Sequence, residues 1–322
     1  MVRVAHPEPF ADASPPADSL SKRVIAIVGP TATGKSDLAI AVVRSLVSAG
    51  MSAEIVNADS MQLYRGLDIG TAKLTAAERR DVRHHLLDIW PVTHTASVAE
   101  YQQRARAIID ALLAIGTTPV VVGGSGLYIR AALDRLEFPG TDAALRDELE
   151  ARLETDGAPT LHAELAALDP AAAAAILPTN GRRIVRALEV IQLTGEPFTA
   201  SLPAFESVYD VSFVGIDGPN EWLDARVDAR VDRMFAAGLV DEVESLERHG
   251  LRDGRTASRA LGYQQVLAYL DGLLTLDEAR SETARATRRF VRRQRSWFRR
   301  DPRIVWAQAD EALGVVPELV GN

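Results

Sequence analysis

The sequence predicts an α/β fold: a parallel sheet flanked by helices, with a helical domain inserted in mid-chain. Three observations point there. The run Gly29-Pro30-Thr31-Ala32-Thr33-Gly34-Lys35-Ser36 satisfies the pattern G-x-x-x-x-G-K-[ST] in full. It follows the apolar run Val24–Val28 and precedes a helical pattern from Asp37 to Leu46, the strand–turn–helix setting that a phosphate-binding loop needs. Short apolar runs then alternate with helical periodicity, the pattern of a sheet covered on both faces. From about Gly140 to Leu202 this alternation stops, and an alanine-rich helical pattern punctuated by Pro139-Gly140, Asp169-Pro170, Pro178 and Gly195 takes its place.

Each element follows from local pattern. Glu54–Ala58 reads as a short buried strand ending at Asp59, and Val82–Ile89 as a strand entry containing His84 and His85. Val98–Ile115 carries apolar residues at helical spacing, and Pro119–Val122 is a buried strand leading into Gly123-Gly124-Ser125-Gly126 and a new helix. Val211–Ile216 returns to the sheet. Helices are expected over Glu221–Gly238, Leu239–His249, Arg259–Leu270 and Leu276–Arg300, with a last strand at Arg303–Trp306. The domain boundaries are therefore a tail at 1–21, a core at 22–138 and 204–316, and a helical insertion at 139–203. Ligands of parallel sheets sit at the carboxyl ends of strands, so the phosphate loop, Asp59 and Ser125 should converge on one crevice.

Composition narrows the chemistry. The 322 residues, 47% hydrophobic and 25% charged, suit a globular protein with a full core. The absence of cysteine excludes disulfides, thiolate metal sites and a cysteine nucleophile. Residues 1–21 are rich in proline, alanine and acidic side chains without an apolar segment, and read as a disordered tail rather than a secretion signal. No apolar run reaches membrane-spanning length, so a cytoplasmic protein without a membrane partner is expected. The net charge of −8 argues weakly against a nucleic-acid partner, but local patches decide binding. Lys22, Lys35 and Lys73 are the lysines among 36 basic residues; arginine fills ordinary surface positions, and arginine clusters are discounted accordingly.

The candidate site residues have explicit roles. Amides of the loop Gly29 to Ser36 curl around a di- or triphosphate, Lys35 places a charge on it, and the Ser36 hydroxyl reaches a magnesium ion. Asp59, at a strand's carboxyl end, suits a magnesium ligand, a general base or a helix cap. Ser125 suits either a second anion contact or a tight turn. His84 and His85 would face opposite sides of a strand, which argues against joint metal binding. Arg226 and Arg230 share a helix face and can clamp a diphosphate, or pair with the interleaved Asp228 and Asp232. Arg285 to Arg300 crowds arginines with Phe290, Trp297 and Phe298 and contains no acidic residue. That pattern suits RNA, with Arg288, Arg292 and Arg295 as phosphate contacts.

Taken in order, these motifs resemble those of the bacterial tRNA dimethylallyltransferase (isopentenyl-tRNA transferase) family. The matching runs are Gly29–Ser36, Asn57–Tyr64, Asp68–Lys73, His84–Asp88, Val121–Tyr128, Arg182–Glu189, Ala260–Tyr263 and Thr287–Phe298. The resemblance spans Lys22 to about Trp306. It implies a phosphate-loop NTPase-like core whose loop holds dimethylallyl diphosphate instead of ATP. It also implies transfer of the dimethylallyl group to N6 of the adenosine 3′-adjacent to the anticodon, with release of diphosphate. By the same resemblance Asp59 is the general base, and Lys35, Ser36, Arg230 and Mg2+ stabilise the leaving diphosphate, with Ser125 also in the catalytic set. The implied tRNA contacts are Asp59, Ser60, Met61, Gln62, Ser125, Arg146, Gly181, Arg182, Arg183, Ile184, Val185, Arg259, Ala260, Leu261, Gly262, Tyr263 and Gln264. Ser125 stands where the family often has threonine; the hydroxyl survives. The expected partner is the tRNA anticodon stem-loop, and the enzyme is expected to be monomeric. The rivals are a phosphate-loop small-molecule kinase, an isopentenyltransferase acting on free adenine nucleotides, and a non-catalytic RNA-binding protein.

Overall fold

The computed structural model describes residues 23–198 and 203–309, together with Gly314. The expected tail at 1–21 lies outside them. Two compact units divide the chain: residues up to Asp134 with those from Ser207 onward, and Arg135–Glu206.

The first unit is built on a six-stranded sheet: β1 (Arg23–Val28), β2 (Ser52–Asn57), β3 (His84–His85), β4 (Thr117–Gly123), β5 (Asp210–Asp217) and β6 (Ile304–Gln308). The spatial order is β3-β2-β4-β1-β5-β6, and every pairing is parallel. β1 and β4 are buried on both faces, which is why they read as unbroken apolar runs. From β1 the chain first builds one side of the sheet and then crosses to β5 on the other. The carboxyl end of β1 is therefore the switch point where a crevice opens.

Helix α1 (Lys35–Ser48) leaves the phosphate loop and buries Leu38, Val42 and Leu46 against Ile25, Ile27 and Val120 of the sheet. Helices α2 (Val98–Ala114) and α3 (Gly126–Leu133) flank β4 in sequence. The second unit consists of α4 (Ala143–Asp156), α5 (Ala158–Leu168), α6 (Pro170–Ala175) and α7 (Gly181–Thr194), packed on Leu149, Leu161, Leu165, Ile184 and Leu188. After β5 come α8 (Asn220–Ala236), α9 (Leu239–Glu247), α10 (Tyr263–Leu270) and the long α11 (Leu276–Phe298).

Two elements are shorter than their patterns predict. The strand expected over Val82–Ile89 contracts to His84–His85, because Leu86 and Asp88 take left-handed conformations with φ of 60° and 58°. The single helix expected over Arg259–Leu270 is split. A 3₁₀ turn ends at Arg259, Ala260 is extended, and α10 begins only at Tyr263.

Candidate active site

The phosphate loop closes over the end of β1 with its amides already arranged. Gly29 sits at φ 135°, and a Cβ there would lie 2.3 Å from the carbonyl oxygen of Ile216, so no larger residue fits between β1 and β5. Ala32 is also left-handed, at φ 68°, which alternates the backbone as an anion nest requires. The Thr33 hydroxyl donates to Pro30 O at 2.9 Å and Lys35 Nζ to the same carbonyl at 2.6 Å. Arg226 Nε donates to Ala32 O at 2.6 Å, and the Thr31 amide donates to Gln294 Oε1 at 2.9 Å.

Two adjoining cavities open here. The larger, about 460 Å³, runs from Gly34, Lys35 and Ser36 along the face of α8 that carries Trp222, Arg226, Arg230 and Arg233. The smaller, about 70 Å³, is lined by Asn57, Asp59, Gln62, His84 and Gly124. Lys35, Ser36, Ala72, Leu74 and Arg230 border both. An anion held on the loop would therefore touch residues that also border the cavity lined by Asp59.

Electrostatics mark this wall. Burial lowers the Lys35 ammonium to a pKa of about 7; neighbouring Arg230 lowers it further, and Asp59 partly compensates. Burial also lowers the pKa of the Arg230 guanidinium, against the favourable field of Asp59. Two basic side chains in each other's field, with one carboxylate nearby, lack negative charge, which a diphosphate would supply. Within the field of Asp59 lie Tyr101 and Tyr128, with ring centroids 4.6 Å apart and phenols pushed upward mainly by burial.

Asp59 is not a helix cap. It forms a tight turn in which Asn57 Oδ1 accepts from its amide at 3.1 Å and its own Oδ1 accepts from the Met61 amide at 2.9 Å. Ser125 plays a joining role: its Oγ accepts from the Ser60 amide at 3.2 Å and lies 3.3 Å from Ser60 Oγ. It ties the loop after β4 to the loop after β2 but lines neither cavity, so the structure does not place it against the phosphate. His84 and His85 diverge as expected; His85 Nε2 meets Glu54 Oε2 at 2.5 Å, while His84 borders the smaller cavity.

The arginine-rich helix is partly paired within the fold. Arg292 makes a two-pronged bond to Asp224 at 2.6 and 2.7 Å, and Arg288 pairs with Asp228. Arg295 reaches Asp217 at 3.0 Å and also holds Asn220. These three are neutralised by residues of α8 and by the segment that enters it. Arg289 and Arg293 are exposed and have no acidic partner among the described residues; Arg293 stacks 5.8 Å over Phe290. The side chain that sequence reasoning missed is Gln294. It is buried, accepts from Thr31, and donates to Gly124 O at 2.9 Å, so one amide braces two loops of the site.

The other expected contacts differ in exposure. Arg259 and Gln264 are exposed, Leu261 is half-buried, and Ala260, Gly262 and Tyr263 are buried. In the second unit Arg182 and Arg183 are exposed at the start of α7 beside Gly181, while Ile184 and Val185 belong to that unit's core. Arg146 pairs with the fully buried Glu189, which Arg186 and Thr141 also hold. Burial works against the Glu189 charge, but these three partners win and hold its carboxyl at about 2.

A phosphate loop at the switch point of a parallel sheet, with arginines across the cavity and a carboxylate beside it, defines an enzyme that handles a phosphorylated donor. The IPP transferase family model matches residues 62–301, and the chain belongs to that family. It is 66% identical over 284 residues to the tRNA dimethylallyltransferase of Streptomyces coelicolor, covering 88% of this chain and 89% of that one. It is 63% identical to the enzyme of the same name from Thermobifida fusca, covering 92% of each chain. Among solved structures, the tRNA isopentenylpyrophosphate transferase of Bacillus halodurans is 38% identical with a TM-score of 0.68, covering 93% of this chain and 96% of that one. A eukaryotic dimethylallyltransferase acting on tRNA, 24% identical, shares the fold with a TM-score of 0.73.

Proposed function

We propose that this chain transfers a dimethylallyl group from dimethylallyl diphosphate to N6 of the adenosine 3′-adjacent to the anticodon in tRNA, with release of diphosphate. The carrying observation is that Lys35 and Arg230 border the loop cavity and the Asp59 cavity together. The donor's diphosphate lies on the loop amides, Lys35 and Arg230. Its allylic carbon points toward the smaller cavity, where the adenine amine meets it. The new C–N bond forms as the C–O bond to diphosphate breaks. The electron pair leaves with the diphosphate, and the N6 proton passes to Asp59. The amine is a weak nucleophile because its lone pair is delocalised into the ring, so the base matters. Charge on the departing oxygen is met by fixed cations in a partly water-excluded wall.

Magnesium fits this arrangement. The ion takes few protein ligands, keeps several waters and shares substrate phosphates; the Ser36 hydroxyl at the loop's end is the group that would hold it. Bound there, it would neutralise diphosphate charge. The acceptor is a single-stranded loop whose target base must leave its stack to reach the site. Asp59, Ser60, Met61 and Gln62, together with exposed Arg259, Gln264, Arg289 and Arg293, supply the RNA-contact surface of the first unit. Gly181, Arg182 and Arg183 supply that of the second. A monomeric enzyme is part of the same proposal. A cytoplasmic location is part of the proposal; among the described residues no helix is long and apolar enough to cross a membrane.

The test is incubation with labelled dimethylallyl diphosphate and either unmodified tRNA or AMP. Label should enter tRNA at the adenosine next to the anticodon. Transfer to AMP alone would move the chain to the free-nucleotide enzymes. Phosphoryl transfer from ATP to a small acceptor would make it a kinase.

A further inference from the structure

The segment Asp68-Ile69-Gly70-Thr71-Ala72-Lys73 has no assigned role, yet it is held more firmly than a connecting loop requires. The Glu242 carboxylate on α9 accepts from three successive amides, those of Asp68 at 3.3 Å, Ile69 at 2.8 Å and Gly70 at 3.2 Å. Tyr263, fully buried at the start of α10, donates its hydroxyl to the same carboxylate at 2.5 Å. A Cβ on Gly70 would lie 2.4 Å from the Tyr263 ring, so backbone and ring are in direct contact. At the other end Lys73, its side chain 2% exposed, donates to Asp68 at 2.6 Å, Asp88 at 2.5 Å and Tyr64 O at 2.8 Å.

Between these two anchors sits one carbonyl. Thr71 O accepts from Arg230 Nη2 at 3.0 Å and from Gln62 Nε2 at 3.2 Å. Arg230 borders both cavities and Gln62 the smaller one. The carbonyl that aims the donor's cation thus also holds a side chain on the acceptor side.

We infer that Glu242 and Tyr263 are positioning residues: they fix the 68–73 segment so that Thr71 O sets Arg230 for the diphosphate and Gln62 for the acceptor. Tyr263 then serves the reaction from beneath the surface and does not contact RNA. Three backbone donors converging on one carboxylate make a stiff joint, and a tyrosine that cannot approach water sets that carboxylate's rotamer. This inference rests on the reading of Arg230 as a diphosphate ligand.

Inorganic diphosphate is the probe, since its binding needs neither tRNA nor allyl chemistry. Its affinity is measured calorimetrically for the parent, Glu242→Gln and Tyr263→Phe, each with and without Arg230→Ala. Glu242→Gln should weaken binding by about tenfold, and Tyr263→Phe by less, as expected for residues sharing one network. With Arg230→Ala present, both effects should nearly vanish. In turnover, KM for dimethylallyl diphosphate should rise by the same factor in Glu242→Gln. Should Glu242→Gln fail to fold, Tyr263→Phe carries the same comparison, because it removes one oxygen and leaves the ring. A parent that binds no inorganic diphosphate overturns the donor reading and this inference with it. Unchanged affinity in both variants, or losses just as large without Arg230, overturns this inference alone.

Discussion

Lys35 and Asp59 shape the site from opposite sides. Burial and neighbouring Arg230 bring the Lys35 ammonium down to a pKa of about 7, so it titrates within the neutral-to-alkaline range. Bound diphosphate favours its charged form, so binding should take up a proton. The sign follows: affinity for inorganic diphosphate should fall as pH rises from 7 to 9. Calorimetry in two buffers of different ionisation enthalpy checks the uptake, and Lys35→Ala should weaken binding and abolish the proton uptake. Asp59→Asn preserves size and the turn's hydrogen bond but not basicity. Turnover should drop by roughly 10²–10⁴ while tRNA affinity changes little, which single-turnover rates and filter binding separate. Both residues were legible in the sequence because strand–loop punctuation announces them. Gln294 was not, since a neutral amide among arginines attracts no notice. Its only signal is phase: it shares a buried helix face with Thr283, Val291 and Phe298, where a polar side chain needs a partner.

Helices α8 and α11 show why a charge run misleads when read alone. Asp224 and Asp228 neutralise Arg292 and Arg288 across 68 and 60 residues of sequence. No local pattern reveals such a match, because the two helices become neighbours only in the fold. The run Arg285–Arg300 therefore divides into a paired face and an open one. Replacing Arg289 and Arg293 with alanine should weaken tRNA binding and make the log–log salt dependence shallower by about one unit, or slightly less, per arginine. Replacing Arg292 and Arg295 should instead lower the thermal midpoint and change the salt slope less. A salt series with both double variants, alongside thermal melts, decides it. Equal slopes for parent and the first variant would remove the open face from the RNA surface.

The molecule as a whole was legible where burial leaves a linear trace. Strands covered on both faces read as apolar runs, so the parallel sheet and its phosphate loop were visible. Strand order was not, because pairing is decided by packing between segments far apart in the chain. Nor could pattern separate the two residues of β3 from the apolar stretch around them, since left-handed turns at Leu86 and Asp88 leave no compositional mark. The acidic net charge of −8 also takes on a local meaning. Part of the negative charge lies on α8, opposite arginines that would otherwise repel one another along α11.

The Gln294 brace carries a consequence in time. It joins Thr31 to a residue 263 positions later. During synthesis the phosphate loop emerges first, and the helix that steadies it emerges more than two hundred residues later. Contacts so distant in sequence form slowly. A growing chain should therefore possess its central strands well before it can hold a diphosphate, and donor binding should follow the emergence of that helix. In refolding experiments, far-ultraviolet dichroism should recover ahead of diphosphate binding, and Gln294→Leu should lower the final binding amplitude. Simultaneous recovery of both signals would mean that the loop reaches its working shape without the helix.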